Sequence, residues 1–322
     1  MLVLAGGLSH ERDVSLRSGR RVAEALRSAG VETHLADVDS ALLPALAADP
    51  PDVIFPILHG AAGEDGALRD ILDLLGLSFV GSDAAACRVA FDKPTAKSLL
   101  AATGVRTPDS VALPHAMFRD LGANAVLDAV VDRLGLPLFV KPARGGSALG
   151  CVLARSRADL PTAMVSCFAY GETALVERYV RGVELAVSVV DTGDGARALP
   201  AVEIVPDSGL YDYAARYTAG STQFFAPARV TPEVAAAAAL AALAAHRVLG
   251  LRDLSRTDLV VDANGVPWFL EVNVAPGLTE TSLLPQAAAA DGLSIGDLYA
   301  ALVAAASARG PRVASRVAAG ST

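Results

Sequence analysis

Arg256, Asp258, Glu271 and Asn273 are the residues of this 322-residue chain whose types and spacing point most directly to chemistry. They lie in RTDLVVDANGVPWFLEVNVAP, residues 256–276, which reads as a β-hairpin. LVV and WFLEV are apolar and β-prone, and Asn264-Gly265 between them is the signal of a tight two-residue turn. Such a turn sets Asp258 opposite Glu271 and Arg256 opposite Asn273. Side chains alternate along a strand, so all four project from one face. Two carboxylates directly opposite each other destabilise a sheet. A hard divalent cation offsets that repulsion, and Asp, Glu and Asn suit Mg²⁺ when water and phosphate fill its other positions. A solvated strand face is the plain alternative. Against it stands the other face (Leu259, Val261, Trp268, Leu270, Val272), apolar enough to seat the hairpin on a core. Val260 and Phe269 share the polar face nearer the turn, as ordinary packing or as a wall for a flat ring.

The elements that must position these groups follow from the rest of the chain. Residues 2–4 form a short apolar strand before Gly6-Gly7, and Ser9 is a candidate N-cap for a helical pattern that Gly30 stops. Strands are predicted over 31–35, 51–58 and 77–80 and a helix over 68–75, a β-α-β layout with a parallel sheet. Glu11, in the first turn of the first helix, is either a dipole partner or a group for a substrate ammonium. His59 lies beyond the carboxyl end of the third strand, where ligands of parallel sheets bind, and GEDG follows at 63–66. Lys93 precedes Pro94 at the start of a new helix. The strand 138–141 delivers Lys141 to the loop PARGGSALG. That lysine, the loop's backbone N–H groups and Ser147 form a candidate phosphate clamp, although no Walker A motif is present and a plain hairpin turn is the other reading. Glu177 and Glu184 flank a turn at Gly182 between two strands. Residues 210–227 hold three tyrosines and Arg216 in an irregular run with the character of a lid. An alanine-rich helix over 231–250, the hairpin, and a mostly helical stretch over 283–303 complete the chain.

Composition narrows the function. The chain is 52% hydrophobic and 19% charged, ample for buried cores, and its length suits two or three domains. A net charge of -8 argues against general nucleic-acid binding, because phosphate backbones select basic surfaces. Cys87, Cys151 and Cys167 share no metal-ligand spacing and read as free thiols in a reducing compartment. MLVLAGG is too short for a signal peptide, and the long apolar run near 234–249 reads as a helix packed in protein, not a membrane span. The expected location is cytoplasmic.

Taken together, AGGLSHERDVSLRSG, HGAAGEDG, FDK, KPARGGSALG, VERYVRGVE, YDYAARYTAG and RTDLVVDANGVPWFLEVNVAPGLTETSLLP resemble, in order, the D-alanine–D-alanine ligase family of the ATP-grasp superfamily. The resemblance spans about residues 4 to 285. It implies α/β and α+β architecture, the three-domain ATP-grasp fold with an N-terminal Rossmann-like domain. The divisions are 1–92, carrying the first D-alanine site; 93–182, the central subdomain; 183–308, with metal site and lid loop; and a disordered tail over 309–322. By motif match Lys93 and Lys141 contact ATP phosphates, with Arg216 on the lid above. Glu177, Arg178, Tyr179 and Val180 form the hinge against adenine, and Glu184 takes the ribose hydroxyls. Asp258, Glu271 and Asn273 hold two Mg²⁺ ions, for which Mn²⁺ can substitute. Glu11 binds the first D-alanine's ammonium beside His59, and Ser147 and Tyr217 hydrogen-bond with it across the closed lid. Arg256 and the Gly277 N–H stabilise the oxyanion, and Ser282 with Leu283 receives the second D-alanine's carboxylate.

The implied activity is ATP-dependent joining of two D-alanines through an acyl phosphate for peptidoglycan precursor synthesis, by a homodimer that engages neither nucleic acid nor membrane. A ligase for a different amino-acid pair and a catalytically silent nucleotide binder stay open as alternatives. Four departures from the family pattern stand out: Arg216 for a lid lysine, Ala148 for a second loop serine, Arg69-Asp70 for Gln-Gly after GEDG, and Val274 for threonine. None removes a metal ligand or the oxyanion donor.

Overall fold

Short apolar strands alternate with amphipathic helices in the first unit. The computed structural model describes residues 1–9, 11–218 and 220–311, but not the side chain of Tyr217. β1 (Leu2–Ala5), α1 (Arg12–Ser28), β2 (His34–Asp37), α2 (Leu42–Ala48), β3 (Ile54–Pro56), α3 (Ala61–Glu64) and α4 (Ala67–Leu74) follow in order, and the strands pair in parallel as β2-β1-β3. Val3 and Phe55 join the core on the α1 side, and Leu4 and Ile54 the core on the α2 and α4 side. Burial on both faces is why these strands are apolar throughout. β1 runs one residue past its predicted end, β2 lies three residues later than the predicted start, β3 is much shorter than the predicted 51–58, and the expected strand over 77–80 makes a single bridge, Ile54 with Phe79. Ser9 does not cap α1: its Oγ accepts from the Glu11 N–H at 3.2 Å, a local turn, and the helix begins at Arg12.

α5 (Ala84–Phe91) and α6 (Lys93–Ala102) break where Lys93-Pro94 predicts. Asp83 and Asp92 cap them by accepting from the Ala86 and Thr95 N–H groups at 2.9 and 3.0 Å. Their buried residues, among them Cys87, Ala96 and Leu100, belong to the core beneath the third sheet, not the second. By packing, therefore, α6 departs from the expected division at residue 93. The second unit comprises β4 (Ser110–Pro114), α7 (His115–Leu121), α8 (Ala123–Leu134), β5 (Leu138–Pro142), β6 (Val152–Ala154), α9 (Leu160–Phe168) and β7 (Thr173–Arg178). Its antiparallel sheet is ordered β4-β7-β5-β6 over its own core.

The third unit contains β8 (Val183–Val190), β9 (Arg197–Ala198), β10 (Val202–Pro206), α10 (Tyr213–Tyr217), β11 (Thr222–Phe225), α11 (Pro232–Val248), β12 (Leu254–Val261), β13 (Pro267–Asn273), α12 (Leu283–Ala290) and α13 (Ile295–Arg309). The sheet runs β11-β10-β8-β12-β13, with β9 on β8. Ala238, Ala242 and Ala245 of α11 are fully buried against Leu185, Val187, Leu259 and Val261. Their small side chains let the helix lie close to the sheet. No single helix among the described residues is long and apolar enough to cross a membrane.

The β12–β13 register carries a correction. Arg256 pairs with Asn273 and Asp258 with Glu271, as predicted, but Leu259 pairs with Phe269 and Val261 with Pro267. The turn is wider than two residues: the Gly265 N–H donates to the Asp262 carbonyl and the Asp262 N–H to the Val266 carbonyl, each at 3.0 Å. Gly265, with φ +75°, takes the left-handed position. One extra residue at Leu270 restores the register before the carboxylates. The facing pairs expected of a tight turn nevertheless form, because the wider turn and the bulge offset one another. The bulge also exchanges two side chains. Phe269 is fully buried in the core with Leu259 and Val272, and Leu270, not Phe269, lines the cleft beside Val260.

The end of the described chain is fastened. Asp253 is 2% exposed with φ 62°; Arg309 donates to both its oxygens at 2.7 Å, and the Gly81 N–H donates at 2.6 Å. Arg309 thus ties the first unit to the third and is not part of a tail; residues 312–322 lie outside the described residues. We predict that Arg309→Met, which leaves the buried Asp253 carboxylate with the Gly81 N–H but no cation bonded to it, costs about 2 kcal/mol, less than for a fully buried pair because Arg309 is partly exposed. The melting temperature reads this out, and adding Asp253→Asn restores most of it.

Candidate active site

Strand alternation divides the second sheet. Leu138, Val140, Ala174 and Val176 face its core, while Phe139, Lys141 and Glu177 face the third unit across a cleft. The opposite wall consists of Glu184, Val260, Asp258, Leu270 and Glu271. Arg178, Tyr179 and Val180 close one end. The Arg178 guanidinium turns away to the Leu134 carbonyl at 3.2 Å, so what this residue offers the cleft is its backbone.

Cations gather at the other end. Lys93 Nζ donates to the Gly145 carbonyl at 2.6 Å and stands 3.3 Å from Glu271. Lys141 Nζ lies 2.6 Å from Glu177 Oε1, and Lys97 Nζ donates to Glu177 Oε2 at 2.5 Å. Burial opposes ionisation of Glu177, but the two lysines outweigh it and hold the carboxyl below its ordinary range. Glu271 likewise resists burial: Lys93 and Lys141 bring it down to about 2. Burial, with repulsion from Asp258 added and Arg216 opposing, raises Glu184 to about 7. It pushes the Cys151 thiol up to about 11, so this cysteine of the cleft stays protonated and is no nucleophile.

A second cavity adjoins the first at Gly146, Tyr211 and Arg216. Glu11, His59, Ser147, Arg256, Asn273, Gly277, Ser282 and Leu283 all line it. Ser147 donates to Glu11 Oε1 at 2.9 Å, joining the glycine-rich loop to the first helix. Gly60, at φ +73°, has to be glycine: a Cβ there would stand 2.6 Å from Glu11 Oε2. Burial pushes the His59 ring below its ordinary pKa, so the neutral ring donates from Nδ1 to the Ala275 carbonyl at 3.0 Å. His59 therefore anchors the loop after β13 and keeps one edge near Ser18. Ser282 precedes α12, and its Oγ accepts from the Thr279 N–H at 3.0 Å. Arg216 stacks on Tyr211, its carbon 4.4 Å from the ring centroid, with a buried Nε that has no hydrogen-bond partner among the described residues. The Tyr217 side chain lies outside the described residues.

Between the cavities, Arg256 grips Asp258 through two bonds of 2.7 and 2.8 Å. The opposed carboxylates are thus each matched to a cation, Arg256 for Asp258 and Lys93 for Glu271. Asn273 Oδ1 accepts from the Ala275 N–H at 2.8 Å. Among the described residues no three His, Cys, Asp or Glu side chains close a metal cage. An open set of two carboxylates and one amide fits Mg²⁺ that shares its shell with phosphate and water.

Lys97 and Glu64 are not singled out by the sequence, and Arg69 stands out there only as a departure from the family pattern. Lys97 follows Lys93 by four residues, the spacing of one helix face. Glu64 is buried in α3, where its Oε1 accepts from the Gly60 N–H at 2.9 Å. Arg69, 2% exposed, donates to the Gly63 carbonyl and holds the loop carrying Glu64. This departure from the family pattern is therefore a structural residue of the site's floor.

Two facing sheets with lysines between them, an acidic strand pair at the mouth and an adjoining polar cavity define an ATP-grasp ligase. A model described as "D-ala D-ala ligase C-terminus" matches residues 99–304. A D-alanine–D-alanine ligase of Bordetella petrii is 42% identical over 301 residues, 94% of this chain and 90% of that one. The crystal structure of the VanG D-Ala:D-Ser ligase from Enterococcus faecalis superposes with a TM-score of 0.82 at 27% identity, over 95% of this chain and 98% of that one. The D-alanine–D-alanine ligase of Bacillus anthracis complexed with ATP gives 0.79 at 28% identity, over 95% of each chain. The chain belongs to the D-alanine–D-alanine ligase family.

Burial, with Glu11 adding repulsion, raises Glu64 to about 7. The unfolded carboxyl loses its proton near 4.5 and the folded one near 7, so as pH rises through that window the unfolded state binds fewer protons and stability falls. Glu64→Gln is expected to flatten part of this fall. Melting temperatures between pH 5 and 8 measure it, and equal slopes in both proteins would contradict it.

Proposed function

We propose that the protein joins two D-alanines to D-alanyl-D-alanine, forming ADP and phosphate, for peptidoglycan precursor synthesis. It works in the cytoplasm, as a homodimer that engages neither nucleic acid nor membrane. The observation that carries the reading is the meeting of a lysine-rich cleft and the Glu11 cavity at Arg256–Asp258. A phosphoryl donor and an amino acid can converge there. Identity of about 42% to a named D-alanine–D-alanine ligase over nearly the whole chain supports the substrate assignment.

In this reading Lys93 and Lys141 meet the ATP phosphates, with Arg216 closing above them. Residues 178–180 and Glu177 meet adenine, and Glu184 meets the ribose. Asp258, Glu271 and Asn273 hold two Mg²⁺ ions, replaceable by Mn²⁺. When bound, these ions neutralise charge on the transferred phosphoryl group. Glu11, oriented by Ser147, takes the ammonium of the first D-alanine, while His59 keeps the Ala275–Gly277 loop in place. The first D-alanine's carboxylate takes the γ-phosphoryl group and becomes an acyl phosphate. The second D-alanine, its carboxylate at Ser282 and Leu283, attacks that carbonyl through its amine. Arg256 and the Gly277 N–H meet the oxyanion, after which phosphate leaves and the nitrogen gives up its proton. The lid with Tyr217 keeps water from the acyl phosphate.

Phosphate release from Mg-ATP across a panel of D-amino acids tests the reading, with dipeptide detection. D-Alanine should stimulate release and yield D-Ala–D-Ala; release only with another amino acid would refute it. Asp258→Asn is expected to weaken Mg-ATP use about tenfold or more while the circular dichroism spectrum is retained. Arg256→Met is expected to lower kcat by about 10²-fold, as for loss of an oxyanion donor.

A further inference from the structure

Lys97 does not line the nucleotide cleft, and no role in the reaction described above needs it. Yet it is 3% exposed and donates at 2.5 Å to a carboxylate that does line the cleft. Burying an ammonium is costly, and burying one beside two other lysines more so. The arrangement is specific. Glu177 presents Oε2 to Lys97 and Oε1 to Lys141, so one carboxylate is shared by two ammonium groups. With a single partner, a buried carboxylate forms a neutral pair, and its ammonium has little charge left for anything else. With two partners, the trio carries a net positive charge, and of the two lysines Lys141 is the one that faces the cleft. α6 brings both cations in from one face, Lys93 to the Gly145 carbonyl and Glu271, and Lys97, one turn later, to Glu177.

We propose that Lys97 is a positioning residue that shares the charge of Glu177 and so frees the Lys141 ammonium for the nucleotide's phosphates. The inference rests on the reading of Lys141 as a phosphate contact. A purely structural Lys97, which only fastens α6 to β7, would affect stability and adenine binding as much as phosphate binding. A charge-sharing Lys97 acts on phosphates alone, and its loss is reversed when Glu177 is neutralised.

The test measures KM for Mg-ATP and kcat with saturating D-alanine, together with inhibition by ADP and by adenosine. Lys97→Met is expected to raise KM for ATP and the inhibition constant for ADP about tenfold, the scale of one lost charge-assisted contact. kcat is expected to change less than about threefold and adenosine inhibition less than about twofold, because neither depends on the phosphate contact of Lys141. Adding Glu177→Gln should bring KM back to that of Glu177→Gln alone, because a neutral amide no longer holds Lys141. An unchanged KM in Lys97→Met would overturn the proposal, as would a double variant no better than the single one or adenosine weakened as much as ADP. If Lys97→Met does not fold, the comparison of Glu177→Gln with the double variant decides: equal KM values support the proposal, and a gap of about tenfold overturns it. Lys141→Met separates the two levels. If it leaves KM for ATP unchanged, the phosphate reading itself fails; if it raises KM while Lys97→Met does not, the charge-sharing inference alone fails.

Discussion

Two carboxylates held face to face across a pair of strands set the terms for everything around them. Asp258 and Glu271 cannot stay ionised and adjacent inside a protein without cations, and two arrive from different directions. Arg256 comes from the same strand two residues away, and Lys93 comes from the start of α6. The Lys93 ion pair explains why α6 is packed beneath the third sheet: the helix that supplies the cation must be rigid relative to the hairpin that needs it. The His59 bond to the Ala275 carbonyl extends the same rigidity into the loop that follows β13, where the Gly277 N–H faces the second cavity.

Much of this was legible in the chain, for reasons particular to each residue. Period-two alternation places Arg256, Asp258, Glu271 and Asn273 together, and the opposition of like charges marks them as a site. Lys141 leaving a strand into a glycine-rich loop was visible for the same kind of reason. The Phe269 and Leu270 exchange was not visible, because a bulge has no sequence signal here and the wider turn offset its effect on the facing pairs. Ser9 misled because its hydroxyl satisfies the N–H two residues on, a local bond that competes with capping. Lys97 and Glu64 were hidden for a common reason: a lone charged residue in a helical pattern reads as solvent-facing, and only tertiary packing shows it to be buried. Arg309 was assigned to a tail on composition, although its buried partners, the Asp253 carboxylate and the Phe79 carbonyl, lie 56 and 230 positions earlier in the chain.

The three units are not equal in independence. The first and third share one continuous core, in which Val3, Val22 and Phe55 pack with Leu284, Tyr299 and Leu302, while the second has a core drawn only from its own residues. Two stretches of chain join the second unit to the others, between α6 and β4 and between β7 and β8. They run side by side, with the Arg178 N–H donating to the Asp109 carbonyl at 2.9 Å. A paired crossing of this kind would confine any relative movement of the units to one axis, where a single crossing strand would act as a flexible tether. Residues 178–180 sit on that axis. The glycine-rich loop begins at the other end of β5, about 13 Å away at roughly 3.3 Å per residue. Any swing of the second sheet therefore leaves the hinge end of the cleft nearly still and sweeps the loop through its full arc. A ligand can be gripped at one end before the other has closed, so the order of engagement is built into the way the chain crosses between units.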